Sequence, residues 1–265
     1  MARNDGISIA SGDYIVFVDS DDTIEIDYIE KIVTDIEQKN EPDLLVIGDY
    51  DWYQRSKEVL GALPTCALGI KKTFLDKYDD IRFPEHLQVC EDGLFSHQLL
   101  VLTDKVIFIP HAHYFYRQRE GSSEHSINHV SLAKNIEKWF DILDKFYTKH
   151  KVIDNNKLHA LSFIRVEPFY RMYSVDFTDE ERNFIANIVF RFIKKYKLLQ
   201  SSYKKTFDSD FNSFVQSKSC SDFNARKLKF YKFQYIKCSL LKWLTFGHTR
   251  RYYTQKQVDM ANKLK

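Results

Sequence analysis

A short apolar segment that ends in three closely spaced carboxylates constrains the fold of this chain more than any other feature. The segment Tyr14–Val18 is continuously apolar and rich in β-branched and aromatic residues, which predicts a buried strand. Asp19, Asp21 and Asp22 follow it directly. Because carboxylates this close repel one another, the sequence predicts that they bind a positive group. Ligands of open α/β sheets bind just past the carboxyl ends of strands, which is where these residues stand.

The rest of the chain mixes helical and strand patterns at first and is helical later. The patterns predict helices over residues 1–11, about 26–40, 71–77 and 91–103, and strands over 43–48, 105–109 and 113–116. Further helices are predicted over 132–147, 158–173 and 179–199. Residues 51–70 have no clear pattern, 118–128 are predicted to form a flexible loop, and 201–222 are polar and predicted to be the loosest part. This order predicts an α/β fold followed by a helical region.

Charge is unevenly distributed along the chain. The net charge is +2, but residues 224–265 carry 11 Lys and Arg against one acidic residue, a net charge of +10. The remainder carries 28 Lys and Arg against 36 Asp and Glu, a net charge of −8. Within the basic end, residues 226–253 interleave basic with aromatic and apolar side chains. This pattern suits an anionic membrane surface or packing against the acidic part of the chain, whereas no recognition motif supports nucleic acid.

The cysteines and the apolar runs indicate the compartment. The cysteines are scattered and form no CxxC pair, which predicts reduced thiols and neither a disulfide framework nor a zinc site. Residues 1–13 are polar and of mixed charge, and no apolar run approaches the length of a membrane span. The sequence therefore predicts a cytoplasmic protein, with peripheral attachment to the inner face of the membrane as an option. The four cysteines are Cys66, Cys90, Cys220 and Cys238.

Three kinds of site could explain the acidic cluster. It matches four ligand positions of an EF-hand calcium loop, but Ile24 stands where that loop needs glycine, and a strand precedes it. It also matches the D-x-D-x-T motif of haloacid-dehalogenase-like phosphatases, with Asp19 as nucleophile and Asp21 as acid/base partner. The spacing to the next candidate motif, at Gly48, leaves no room for that family's intervening motifs. In the third kind, the carboxylates hold a divalent cation that binds the diphosphate of a nucleotide sugar.

Several motifs around the cluster occur together. Residues 2–7 read ARNDGI, residues 10–15 read ASGDYI and residues 17–22 read FVDSDD. In this order and spacing they resemble the signature of family 2 glycosyltransferases. Two later segments resemble further motifs of that family, namely FPE and EDGLF within residues 83–95 and YFYRQREGS at residues 114–122. The resemblance covers residues 1 to about 126.

The resemblance implies a GT-A type fold and a particular reaction. A sugar would pass, with inversion, from a nucleotide-diphosphate donor to a glycan or lipid-linked acceptor during synthesis of a surface polysaccharide. It implies a Mn²⁺ or Mg²⁺ ion held by Asp21, with Asp19 binding either the metal or the ribose. Arg3 and Asn4 match the family motif and are candidates for donor binding. A competing role for Asp22 is to cap the helix that follows.

The resemblance also implies roles for the later motifs. Asp92 would act as the general base that takes the proton of the acceptor hydroxyl, and Glu91 would orient it or a substrate hydroxyl. Arg117, Arg119 and Ser122 would lie on a loop that closes over the diphosphate. Simpler explanations stay open for these residues, because acidic residues favour the first turn of a helix and the basic loop could be a solvated turn.

The chain departs from the family pattern at its start. Members of the family begin with an apolar strand ending near P-x-Y-N and continue through further strands, whereas this chain begins inside the helix that carries ARN. The sequence therefore predicts that the first half of the nucleotide-binding unit is absent and that Tyr14–Val18 has an open edge. It predicts a chain that is inactive alone or a non-catalytic remnant. The predicted organisation is a partial GT-A catalytic domain at 1–126, a helical region at 127–223 and a basic aromatic tail at 224–265.

Overall fold

The chain forms two compact units, Met1–Gln200 and Ser201–Lys265. A computed structural model describes residues 2–48, 60–85, 87, 89–117, 129–199, 203–244 and 254–259. The predicted catalytic segment 1–126 and most of the predicted helical region 127–223 fall in the first unit. Parts of the pattern-free segment 51–70, the whole predicted loop 118–128 and part of the basic tail lie outside the described residues.

The first unit contains a mixed four-stranded sheet and a separate two-stranded sheet. In the first sheet the strands lie in the order β1, β4, β3, β5, with β3 parallel to β5 and the other neighbours antiparallel. In the second sheet β2 pairs with β6 in antiparallel fashion. The strands are β1 (Tyr14–Val16), β2 (Thr23–Ile24), β3 (Leu44–Ile47), β4 (Leu68–Lys71), β5 (Val106–Ile109) and β6 (Tyr114–Phe115).

The sequence patterns predicted β1, β3, β5 and β6 but missed the two-residue strand β2 and the strand β4. All four residues of β3 are buried, because the sheet is covered on both faces, which explains their continuous apolar pattern. β4 is short and has Gly69 at its centre, so it lacks a strand signature. A side chain at Gly69 would come within 2.7 Å of the Leu45 side chain, so glycine is what lets β3 pack there. Among the described residues, β1 pairs with β4 on one side and has an open edge on the other.

Helices surround the sheets and continue through the rest of the first unit. Most bounds agree with the predicted helices to within a few residues, as is usual for sequence patterns. The helices of the first unit are α1 (Ala2–Ile9), α2 (Tyr28–Gln38), α3 (Lys72–Leu75), α4 (Glu91–Leu100), α5 (His129–His150), α6 (Lys157–Ile164), α7 (Tyr170–Ser174) and α8 (Asp179–Tyr196).

The helix predicted over residues 158–173 is interrupted. Between α6 and α7 the backbone forms a π-helical turn at Arg165–Phe169, which contains Pro168. Proline has no N–H to donate to the preceding turn, so a regular α-helix cannot continue through it. The wider turn accommodates the proline. The periodicity alone did not show the interruption.

A buried histidine ties α4 to its surroundings. The ring of His97 makes a hydrogen bond on each side: Nδ1 lies 2.6 Å from the carbonyl oxygen of Gly61 and Nε2 lies 2.7 Å from the hydroxyl of Tyr147. Since a carbonyl only accepts, Nδ1 donates and Nε2 accepts from the tyrosine. Burial lowers the pKa of His97 to about 3, so the ring is neutral at physiological pH.

The prediction that residues 201–222 are the loosest part is wrong. They contain helices α9 (Tyr203–Thr206) and α10 (Ser209–Val215) and the start of α11 (Cys220–Leu244). Aromatic side chains placed among the polar residues of this segment pack together and form a core. The ring centroids of neighbouring members lie 5.1–6.4 Å apart. The buried aromatic residues are Phe207, Phe211, Phe214 and Phe223.

Candidate active site

Arg3 of α1 connects the two acidic motifs. Its Nη2 lies 3.2 Å from Asp19 Oδ1, and its Nη1 lies 3.4 Å from Glu91 Oε1. These side chains come from segments 16 and 88 residues apart in the sequence. All three are partly exposed, at 28% for Arg3, 43% for Asp19 and 24% for Glu91, so solvent reaches the pairs. The predicted diphosphate-binding and base-bearing motifs therefore face one accessible surface.

Asn4, next to Arg3, holds the FPE segment in place. Its side-chain amide donates to the carbonyl oxygen of Phe83, and its side-chain oxygen accepts from the N–H of Phe83, both at 2.9 Å. The ring of Phe83 stacks on Phe95 of α4 at 4.1 Å and meets Phe17 edge-on at 5.5 Å. Both polar ends of Asn4 are thus used within the protein. Donor binding by Asn4 stays a prediction.

The side chain of Asp22 accepts hydrogen bonds from β6 and from the residues just after it. The hydroxyl of Tyr114 donates to Asp22 Oδ2 at 2.6 Å, and the N–H of Arg117 donates to Asp22 Oδ1 at 2.8 Å. The same hydroxyl accepts from the N–H of Asp19 at 3.1 Å. Burial and the bond to Asp22 raise the pKa of Tyr114, so it remains a donor.

The idea that Asp22 caps the following helix is wrong. α2 begins at Tyr28, and the capping position is Asp27, whose side chain makes no capping bond. Asp22 lies before β2 and is committed to Tyr114 and Arg117. The helix–loop–helix of an EF-hand is also absent around the cluster, because β1 precedes it.

The backbone is strained just before α4. Val89 and Cys90 have φ of 72° and 68°, in the left-handed region that a β-branched residue such as valine rarely adopts. Strain of this kind persists only where surrounding structure enforces it, and it clusters at functional sites. Here it sets the direction from which α4 begins, and therefore the positions of Glu91 and Asp92 in its first turn.

The surroundings of Asp92 disfavour its negative charge. Burial, followed by the charges of Glu167 and Glu91, raises its pKa from 3.8 to about 6. A bond from the N–H of Gly93 to Asp92 Oδ1 at 2.8 Å and the charge of Arg3 act in the other direction. A carboxylate with a pKa close to the operating pH accepts a proton more readily than an ordinary aspartate does.

Two residues of this site were not given roles from the sequence. Tyr114 lies inside the quoted YFYRQREGS segment, so its motif was recognised but its contact with Asp22 needs the pairing of β2 with β6. Glu167 lies in the π-helical turn, 75 residues after Asp92, and no local pattern marks it. Arg119 and Ser122 lie outside the described residues. Arg117 contributes its backbone N–H, and its side chain is exposed.

The acidic cluster fits a metal site that substrate phosphates complete, rather than a site in which protein side chains supply all the ligands. Within the described part of the chain, no three His, Cys, Asp or Glu side chains are grouped to hold a metal. Asp19 is paired with Arg3, and Asp22 is bonded to Tyr114. Mg²⁺ is typically bound by one or two carboxylates together with substrate phosphates, so Asp21 and Asp19 fit that limited role.

Comparison with known proteins identifies the first part of the chain. Residues 1–75 match the family model described as Glycosyl transferase family 2. The similarity to this family extends over that segment of the chain. The matched segment contains α1, the acidic cluster and strands β1 to β4, so Arg3, Asn4, Asp19 and Asp21 all lie within it.

Two curated relatives of the chain are named as sugar transferases. Glycosyltransferase GlyG of Streptococcus pneumoniae serotype 4 is 28% identical over 168 residues, which cover 51% of this chain and 54% of GlyG. The poly(ribitol-phosphate) beta-glucosyltransferase of Bacillus spizizenii is 26% identical over 203 residues, which cover 68% of this chain and 31% of that protein. The chain thus spans about half the length of GlyG and about a third of the glucosyltransferase.

A solved structure shares the fold of this chain. Residues 1–349 of S. aureus TarS, crystallised in complex with UDP-GlcNAc, superpose with a TM-score of 0.53 at 18% identity. The superposition covers 81% of this chain and 70% of the TarS chain. The fold is a GT-A type α/β fold, as the sequence predicted. No helix in the described ranges is sufficiently long and apolar to cross a bilayer.

Proposed function

We propose that this chain transfers a sugar from a nucleotide-diphosphate donor to an acceptor hydroxyl with inversion, using Asp92 as the general base. The acceptor oxygen attacks the anomeric carbon as the bond to the diphosphate breaks, and the electron pair of that bond leaves with the diphosphate. The proton of the hydroxyl passes to Asp92. The observation that carries the proposal is the raised pKa of Asp92, in a helix turn linked through Arg3 to Asp19.

The donor diphosphate would lie beside the acidic cluster. Asp21 and Asp19 would hold a Mn²⁺ or Mg²⁺ ion, which when bound neutralises charge on the leaving diphosphate. Arg3, now paired with Asp19 and Glu91, provides a guanidinium at the same surface for an anionic donor. Arg117, Arg119 and Ser122 would add contacts from the loop after β6. Glu91 would orient Asp92 or a substrate hydroxyl.

The names of similar proteins indicate the substrate classes to test first. TarS was crystallised with UDP-GlcNAc, and the Bacillus spizizenii relative is named for transfer of glucose to poly(ribitol phosphate). We therefore propose a UDP-sugar as donor and a surface polysaccharide or a lipid-linked glycan as acceptor. Such an acceptor contains free hydroxyls and is assembled at a membrane surface.

The basic tail would bring the enzyme to that surface. Residues 224–265 carry a net charge of +10, and α11 exposes Leu228, Phe233 and Ile236 at 42%, 63% and 57%. Basic residues beside exposed apolar ones attract anionic lipid. We expect the chain to sediment with vesicles containing phosphatidylglycerol at low salt and to be released at high salt. Equal sedimentation with neutral vesicles would contradict this electrostatic role on the inner face of the membrane.

Release of UDP tests the proposed reaction. The 265-residue chain, in excess over UDP-GlcNAc or UDP-glucose, is incubated with Mn²⁺ and ribitol-phosphate polymer, and UDP is quantified. The informative comparison is with Asp92→Asn, which keeps the shape but cannot accept the proton. Acceptor-dependent UDP release by the unmodified chain and its loss in Asp92→Asn would support the proposal. Equal release by both proteins would contradict the assignment of Asp92.

A further inference from the structure

The π-helical turn brings a carboxylate against the first turn of α4. A Cβ atom added at Gly93 would lie 3.0 Å from Glu167 Oε1 and 3.0 Å from Cys90 Sγ. Glu167 therefore occupies the space that a side chain at position 93 would need. Gly93 is the neighbour of Asp92 and donates its N–H to that carboxylate. The absence of a side chain at Gly93 is what allows Glu167 to approach the candidate base.

Glu167 is paired on its far side with Arg171. Arg171 Nε and Nη2 each lie 3.0 Å from Glu167 Oε2, one helical turn further along the chain. The exposed fractions of the two side chains are 14% for Glu167 and 19% for Arg171. The guanidinium also lies 5.8 Å from the ring centre of Trp139 on α5. A charge pair this sheltered interacts with its neighbours more strongly than an exposed pair does.

The pair belongs to the electrostatic surroundings of Asp92. The groups that act on Asp92 are Glu91 on its own helix, Arg3 on α1, and Glu167 in the π-helical turn, and Arg171 on α7 is coupled to it as well. Cys90, just before α4, is held neutral, because burial and then Glu167 raise the pKa of its thiol. Of the charged groups, Glu167 and Arg171 are the two that the proposed chemistry does not use.

We propose that Glu167 is a positioning residue that acts through Asp92, and that the opposite charge of Arg171 limits its effect. This inference rests on the proposed function, because it explains how Asp92 would be made basic enough to take the proton. The negative charge of Glu167 disfavours a second negative charge on Asp92, and the positive charge of Arg171 limits that effect. The balance between them fixes the pH at which Asp92 loses its proton.

Because Glu167 and Arg171 carry opposite charges, removing one or the other should shift the pKa of Asp92 in opposite directions. Glu167→Gln removes a negative charge and leaves Arg171 unpaired, so Asp92 should release its proton at lower pH. Arg171→Gln removes the cation, so Asp92 should release its proton at higher pH. A purely structural role for the pair would predict no such opposition. The expected size is about one pH unit in each direction, as for a neighbouring charge in a partly buried site.

The measurement is direct titration of Asp92 in the full chain. Aspartate is labelled with ¹³C at the carboxyl carbon, and the signal that disappears in Asp92→Asn identifies the residue. Glu137→Gln, which removes an exposed carboxylate from α5, is the matched control and should leave the midpoint unchanged. An Asp92 titration midpoint that is unchanged or higher in Glu167→Gln would overturn the inference.

Gly93→Ala provides a second variant in case Arg171→Gln does not fold. The added methyl group would displace Glu167, so the midpoint of Asp92 should fall as in Glu167→Gln. An unchanged midpoint in a folded Gly93→Ala protein would count against the proposed approach of Glu167.

Titration and activity separate the two proposals. Since the titration needs no turnover, a shifted midpoint without any UDP release would retain the role of Glu167 in Asp92 ionisation and refute the sugar transfer. UDP release that depends on Asp92 but keeps the same pH profile in Glu167→Gln would refute this inference alone. Where both proposals hold, the acid limb of the pH profile should shift to lower pH in Glu167→Gln.

Discussion

The side chain of Asn4 makes two hydrogen bonds to the main chain of Phe83, each 2.9 Å long. This double contact joins α1 to a segment 79 residues away and fixes the ring of Phe83 against α4. An amide can do this because it carries one donor and one acceptor group side by side. The arrangement of donor and acceptor in the Asn4 side chain, rather than charge, therefore makes the contact.

Asn4→Asp should destabilise the protein by about 1–3 kcal/mol, the usual cost of leaving a partly buried polar group without its partner. Aspartate can still accept from the N–H of Phe83, but it faces the carbonyl oxygen with a second acceptor. The free energy of unfolding in urea measures the effect. Asp5→Asn, an exposed change on the same helix, is the control and should stay within about 0.5 kcal/mol of the original.

Tyr114→Phe should loosen the acidic cluster without removing any carboxylate. The hydroxyl of Tyr114 donates to Asp22 and accepts from the N–H of Asp19, so its loss leaves two polar groups unpaired. We expect a loss of about 1–2 kcal/mol in unfolding free energy and weaker binding of Mn²⁺ with UDP. Calorimetric titration measures the binding. Tyr116→Phe, at an exposed neighbouring position, should bind as the original does.

The sequence predicted well the strand before the acidic cluster and the helix that begins at Glu91, because both have clear local patterns. Asp19 and Asp21 follow a strand with a clear apolar pattern, and Glu91 with Asp92 begin a clear helix. It could not predict that Arg3 reaches both, since that depends on how α1 lies over segments distant in the sequence.

Other features escaped sequence analysis for physical reasons. β4 is short and has glycine at its centre, so it has no strand periodicity. Pro168 interrupts the α-helical hydrogen bonding inside a segment whose apolar period continues. Glu167 lies in the π-helical turn at that interruption. The aromatic core of the second unit is spaced among polar residues, and composition alone made that segment appear loose.

Gly61→Ala should be severely destabilising. A Cβ at Gly61 would lie 2.3 Å from the carbonyl carbon of Ser162, which is backbone and cannot move aside as a flexible side chain would. We expect a loss above about 3 kcal/mol, as for other steric conflicts in a close-packed core. Gly6→Ala is the matched control, because nothing lies within 4 Å of its added Cβ. It should stabilise α1 by about 0.5–1 kcal/mol. Thermal unfolding followed by circular dichroism distinguishes the two, and equal melting temperatures would refute the packing of Gly61 against α6.

Asp92→Asn should stabilise the folded protein above pH 6 while it removes sugar transfer. The folded-state pKa of Asp92 is about 6 and its ordinary value is 3.8, so the folded chain keeps a proton that the unfolded chain has already released between those values. Within that window the free energy of unfolding falls as the pH rises, and above pH 6 the penalty is fully present. Asparagine carries no charge to bury, so the variant escapes the penalty. The gain at pH 7.5 should be on the order of 1–3 kcal/mol relative to the difference at pH 4.

Urea unfolding of both proteins at pH 4 and pH 7.5 measures this difference. Asp141→Asn, an exposed change on α5, is the control and should show the same difference at the two pH values. The direction of the effect is diagnostic, because an aspartate stabilised by ion pairs would make the variant less stable at high pH, not more. An Asp92→Asn protein that loses stability between pH 4 and pH 7.5 relative to the original would therefore show that Asp92 is a paired structural carboxylate. A gain in stability together with a loss of UDP release is the combination expected of a base held in an unfavourable environment for the sake of its reaction.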